Sequence, residues 1–79
     1  MEHYLNKSGK SPITKFLIED EKVTVWYNDD TSYSYSYARA GQPIVDKIRE
    51  LALEGEGLAT FISQSAKFLY DHKIEKPGT

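Results

Sequence analysis

The chain predicts an α+β fold of β-β-β-α-α order, a three-stranded antiparallel meander followed by two helices packed on one face of the sheet. Three observations carry this reading. Residues 31–37 run Thr-Ser-Tyr-Ser-Tyr-Ser-Tyr, and a two-residue period marks an extended strand because successive side chains leave opposite faces. Two further β-branched and aromatic runs precede it, separated by acidic turns. From residue 42 onward the apolar spacing changes to that of a helix.

Residues 1–11 are polar, with Ser8-Gly9 as a turn and Pro12 closing the segment. The first strand is expected over residues 13–18, with Phe16 and Ile18 on one face and Ile13 and Leu17 on the other. Glu19-Asp20-Glu21 is a charged turn. The second strand covers 22–27 and sets Val23, Val25 and Tyr27 against Thr24 and Trp26. A three-residue loop, Asn28-Asp29-Asp30, pairs Tyr27 with Thr31, Val25 with Tyr33 and Val23 with Tyr35. A two-residue loop would put the serines beside the valines, so burial selects the longer loop. Asp30 then takes the left-handed position that such a hairpin requires.

Pro43 suits a first helical turn, and Ile44, Val45, Ile48, Leu51 and Ala52 form one stripe. Gly55 ends this helix. A second helix is expected over 58–70, with Leu58, Phe61, Ile62, Ser65, Ala66 and Leu69 inward. The expected core is Val25, Tyr33, Tyr35, Ile48, Leu51, Phe61, Ile62 and Leu69. The organisation is one domain over 1–72, including the polar segment 1–11, and a flexible tail over 73–79.

With 79 residues, the chain buries only about 60–65% of its unfolded surface. That leaves little room for a deep cleft. The absence of cysteine removes disulfides, thiolate zinc sites and cysteine nucleophiles. The first residues lack an apolar run behind a basic start, and no stretch approaches the roughly 20 apolar residues of a membrane span. The expectation is a cytoplasmic, soluble protein with no membrane partner. A formal charge of −2 argues against nucleic acid as the main ligand.

The chemical motifs are weak. Gly9-Lys10-Ser11 echoes the end of a phosphate loop, but Tyr4 stands where that motif needs its first glycine, and a strand rather than a helix follows. His3 and His72 sit at opposite ends of the chain, with no acid spacing that suggests a metal. Asp20/Glu21 and Asp29/Asp30 are explained by turn chemistry. Asn6-Lys7-Ser8 matches a glycosylation acceptor without a secretion signal. Gly55-Glu56-Gly57 suits a close approach or a plain helix joint. No catalytic, cofactor or metal site is expected.

The hairpin 25–37, the segment Tyr4-Leu5-Asn6-Lys7-Ser8-Gly9 and Gly55-Glu56-Gly57-Leu58 resemble a group of short bacterial proteins of unknown function. More distantly, the order of strand, turn, Tyr-x-Tyr strand, helix, small-residue joint and Phe61-Ile62 resembles the KTSC domain, named from the C-terminal part of certain lysyl-tRNA synthetases. Asp30 replaces the Gly-type turn residue of that pattern, and Thr60-Phe61-Ile62 replaces its Tyr-Phe-Asn element. The resemblance implies a compact α+β unit and carries no active-site residues.

The functional expectation is a small non-enzymatic interaction module. Trp26 shares its face with Ser32 and Ser34 and turns away from the valines, so Trp26, Lys15, Ser32 and Ser34 are the candidate partner-binding residues. The alternative at this face is a cover formed by Tyr4 and Leu5. The rival functions are homodimerisation through the same face and weak single-stranded nucleic-acid binding, with bases on the aromatics and phosphates on Lys7, Lys10, Lys15 and Arg39.

Overall fold

A computed structural model describes residues 2–74. The alternating hairpin folds as its pattern requires. Strand β3 (Lys22–Tyr27) pairs with β4 (Ser32–Ser36), setting Val25 opposite Tyr33 and Val23 opposite Tyr35. Tyr27 N–H donates to the Thr31 carbonyl at 2.8 Å, and Asp30 sits at φ 67°. Both are features of the three-residue loop.

The sheet has five strands where three were expected, in the order β1 (Glu2–His3), β2 (Ile13–Ile18), β3, β4 and β5 (His72–Ile74), all antiparallel. The polar start therefore supplies an edge strand. Lys73 and Ile74 belong to the opposite edge rather than to a tail, while 75–79 lie outside the described residues.

Strand β2 departs from simple alternation. A bulge between Ile13 and Lys15 inserts an extra residue, so Ile13 and Phe16 both enter the core. Ile13 is opposite Tyr27, and Phe16 is opposite Val25. A bulge shifts the side-chain parity by one, which is why the expected opposition of Ile13 to Phe16 fails.

The tyrosine strand ends at Ser36. The Ser36 hydroxyl accepts from the Arg39 N–H at 3.2 Å, capping a one-turn helix α1 (Tyr37–Ala40). Helix α2 (Gln42–Glu54) follows and buries Val45, Ile48 and Ala52. Gly55 ends it at φ 85°, and an added Cβ there would lie 2.6 Å from the Leu5 Cβ. Lys7 N–H donates to the Gly55 carbonyl at 2.8 Å. The close approach suggested by Gly55-Glu56-Gly57 is made to the N-terminal segment.

Helix α3 (Leu58–Phe61) continues into a π-helical segment, Ile62–Ala66. Leu58, Ile62 and Ala66 are its buried residues. In an α-helix a four-residue step drifts about 40° around the axis. The wider i→i+5 turn offsets that drift and keeps the three in line. Ser65 is exposed, and Phe61 and Leu69 are half-buried.

One hydrophobic cluster joins Tyr4, Ile13, Phe16, Val23, Val25 and Tyr35 to the buried residues of α2, α3 and the π-helical segment. Of the expected core, Val25, Tyr35, Ile48 and Ile62 are buried, whereas Tyr33, Leu51, Phe61 and Leu69 are half-buried. All helical layers lie on this side of the sheet.

Candidate functional site

The other face of the sheet is fixed by pairing, because directly opposed residues in antiparallel strands share a face. His3 opposes Lys15, Lys15 opposes Trp26, and Trp26 opposes Ser32. Leu17 opposes Thr24, Thr24 opposes Ser34, and Lys22 opposes Ser36. His72 and Ile74 oppose Ser34 and Ser32. Trp26 and Leu17 are half-buried, yet neither packs against the hydrophobic core. Ile74 is 61% exposed.

Three of the four candidate residues, Lys15, Trp26 and Ser32, thus stand side by side across adjacent strands, and Ser34 lies one pair further along. Lys15 Nζ lies 5.7 Å from the centre of the Trp26 ring, within range of a cation–π attraction. Ser32 and Ser34 do not offer the open hydroxyls that the sequence suggested. Ser32 is 4% exposed, and Ser34 is buried with its hydroxyl 3.1 Å from that of Thr24. Small hydroxyls between larger side chains are screened by their neighbours, and the Thr24–Ser34 pair satisfies two polar groups internally. The accessible part of the face is therefore Trp26, Lys15, Leu17 and Lys22, flanked by His3, His72 and Ile74 on the edge strands.

Tyr4 and Leu5 do not cover Trp26. Tyr4 is buried in the core on the opposite face, and its hydroxyl accepts the Leu58 N–H at 3.3 Å. That contact satisfies a backbone donor at the start of α3, which has no side-chain cap. Leu5 lies against Gly55.

The formal charge on the Trp26 face comes from Lys15 and Lys22, and Lys22 is paired with Glu19 at the strand end, 3.8 Å away. His3, Lys15, Lys22 and His72 occupy paired positions there, and among the described residues no acid does. The acids gather instead at the strand ends, in 19–21 and 29–30. His3 and His72 stand on opposite edge strands, about 19 Å apart across four strand spacings, so they do not form a common metal site. Among the described residues no group of three or more His, Cys, Asp or Glu could hold a metal ion. Lys7 and Lys10 lie near the helix joint, Lys7 bonded to Gly55 and Lys10 lining a hollow with Gly57 and Thr60. They do not extend the basic character of the Trp26 face.

A second feature was missed in the sequence. On the helix side, a cavity of about 350 Å³ opens between the β3–β4 hairpin and the end of the π-helical segment. Tyr27, Tyr33, Tyr35 and Tyr70 line it with Lys67 and Lys73. Tyr27 meets Tyr33 edge-on at 5.4 Å, and Tyr33 meets Tyr70 edge-on at 5.1 Å. Lys73 Nζ is 5.7 Å from the Tyr33 ring centre. Burial, then the neighbouring phenols of Tyr27, Tyr33 and Tyr70, push the Tyr35 hydroxyl above its ordinary pKa. Burial and then Tyr33 do the same to Tyr27. Tyr33 and Tyr35 were legible as a strand face, but Lys67, Tyr70 and Lys73 reach them only through the tertiary fold.

The chain matches no protein-family model, no curated protein and no solved structure. The resemblance to the KTSC domain therefore rests on the residues that carry it.

Proposed function

We propose that the protein is a small non-enzymatic interaction module that docks an acidic protein segment across the Trp26 face of its sheet. The observation that supports this most directly is a tryptophan outside the hydrophobic core, on a face whose paired positions carry Lys and His but, among the described residues, no acid. An aromatic anchor supplies contact area with little loss of side-chain freedom, and the lysine beside it favours a partner of opposite sign. Trp26, Leu17 and Ile74 provide the apolar contacts. Lys15 provides the positive charge beside Trp26, while Lys22 at the strand end is paired with Glu19 at 3.8 Å.

A protein segment is favoured over a nucleic-acid strand. A phosphodiester chain carries a charge at each nucleotide and needs a basic track along its path. Here the acidic turns 19–21 and 29–30 stand at both ends of the strands, and of the four cations assigned to phosphates only Lys15 lies on this face. Among the described residues no helix is long and apolar enough to cross a membrane.

The test is a selection of displayed random peptides against the whole protein, followed by affinity measurements on Trp26→Ala and Lys15→Glu. Acidic peptides with an apolar anchor that lose at least about tenfold in affinity to either variant would bear the proposal out. Selected peptides that bind both variants like the parent would overturn it. Salt-dependent binding of oligonucleotides, or self-association in sedimentation that Lys15→Glu abolishes, would replace the acidic segment by one of the rival occupants.

A further inference from the structure

We propose that the tyrosine-lined cavity on the helix side is a separate binding site for a small planar aromatic molecule bearing a carboxylate. The volume of about 350 Å³ lies in the range of pockets for small ligands. Its chemistry is more specific than its size.

Tyr35 is 1% exposed and lines the cavity, yet its hydroxyl has no hydrogen-bond partner within the described protein. The ring is packed in the core while the hydroxyl opens toward the cavity, where a ligand can meet it. A neutral phenol offers one O–H donor, which fits an acceptor on a ligand.

The walls and rim complete the specification. Tyr33 and Tyr70 meet edge to face, an arrangement that suits further ring packing better than a closed stack. Phe68 stands at the rim with 71% of its surface exposed, beside Lys67, whose Nζ lies 5.5 Å from the ring centre. A large exposed aromatic at the mouth of a cavity is a surface a ligand ring can cover. The cavity lining holds two lysines, Lys67 and Lys73, and one acid, Asp29. The Asp29 carboxylate accepts the Thr31 N–H at 3.0 Å; that bond first, and the nearby Lys73 last, hold its pKa below the ordinary value, so it keeps its negative charge. The lining still carries two lysines against one carboxylate, a balance that favours an anion. Acceptor, ring and negative charge together describe an aromatic carboxylate.

The experiment is an amide NMR titration of the whole protein with naphthoate, run beside neutral naphthylmethanol and cationic naphthylmethylamine. Saturable shifts centred on Tyr33, Tyr35 and Ser63 are expected, with naphthoate the tightest of the three. Tyr35→Phe removes only the unpaired hydroxyl and should fold normally. It should bind naphthoate about tenfold more weakly, the loss expected for one hydrogen bond to a charged group. Lys67→Ala, at an exposed position, should narrow the margin of naphthoate over naphthylmethanol. An unsaturable response, shifts centred on Trp26, an alcohol or amine that binds as well as the acid, or an unchanged Tyr35→Phe variant would each overturn the proposal.

Discussion

The two faces of the β3–β4 hairpin are made by alternate residues of the same strands, yet they are built on different principles. Val23, Val25 and Tyr35 on the helix side are almost wholly excluded from water and pack into one apolar cluster. Thr24, Ser32 and Ser34 on the other side are also buried, but no helix residue joins them in a cluster. Their burial comes from flanking side chains such as Trp26 and Leu17, and from the Thr24–Ser34 hydroxyl pair. Low exposure thus means core on one face and a screened polar row on the other. The first should dominate stability, and the second should contribute less, with Trp26 and Lys15 standing above it.

The largest effects should separate the faces outright. Ile48 is fully buried in α2 against the helix-side face. Ile48→Ala should cost about 2–5 kcal/mol through lost contacts and a cavity. Trp26→Ala on the open face should cost only about 1 kcal/mol despite removing a larger side chain. Denaturant unfolding of the two variants compares them directly, and equal losses would break the distinction between the faces.

Tyr4 sharpens the comparison, because it commits the N-terminal segment to the helix side. Tyr4→Phe keeps the ring and leaves the Leu58 N–H without its acceptor. A loss of about 1–2 kcal/mol is expected, with no change in iodide quenching of the Trp26 fluorescence. Increased quenching would place the segment over the open face after all.

The helix-side face should also set the response to alkali. Burial is the main reason why Tyr4, Tyr27 and Tyr35 have pKa values above the ordinary value of about 10. In the unfolded chain these phenols ionise near that ordinary value, while in the folded chain they keep their protons. Above about pH 10 the unfolded state therefore binds fewer protons, and stability falls as pH rises; below it the contribution is fully present. Ultraviolet titration should show these three of the six tyrosines lagging. Six tyrosines titrating together without unfolding would show that the phenols are not shielded as described.

What was legible in the sequence followed from local periodicity. The Tyr-x-Tyr alternation, read with the valines of β3, gave the hairpin register, the left-handed Asp30 and the face on which Trp26 lies. The stripe from Ile44 to Ala52 and the stop at Gly55 gave α2. What failed depended on pairing or on one-residue irregularities. The bulge beside Thr14 leaves no mark in a six-residue strand. Strands of two and three residues, β1 and β5, are too short to show alternation and exist because the longer strands template them. The π-helical segment lengthens a turn without changing the apolar composition. The tyrosine cavity needs Tyr70, far along the chain, to meet Tyr33, which no local pattern announces.

On the open face, the polar row offers a finer test. If the Thr24–Ser34 contact is a satisfied hydroxyl pair, Thr24→Val alone should cost about 1 kcal/mol, because it strands a buried Ser34 hydroxyl. The double variant Thr24→Val/Ser34→Ala removes both groups and should recover most of that loss. Additive losses in the double-mutant cycle would mean that the two hydroxyls are independently hydrated rather than paired.

The smallest expected effect concerns the loop that assigns residues to faces. Asp30 holds φ 67° in a conformation costly for most side chains, and its N–H donates to the Tyr27 carbonyl at 3.0 Å. Glycine adopts that conformation without the penalty and keeps the N–H. Asp30→Gly should therefore raise stability by up to about 1 kcal/mol, offset in part by the greater freedom of glycine in the unfolded chain. The gain should come without altering Trp26 fluorescence, since the register and both faces are retained. Asp29→Gly is the control. Asp29 is not left-handed, and its carboxylate accepts the Thr31 N–H at 3.0 Å, so that change should destabilise the hairpin. If Asp30→Gly instead lowered the melting temperature as Asp29→Gly does, the strain would not reside at Asp30. The pairing that sends the tyrosines to one face and Trp26 to the other would then need another origin than this loop.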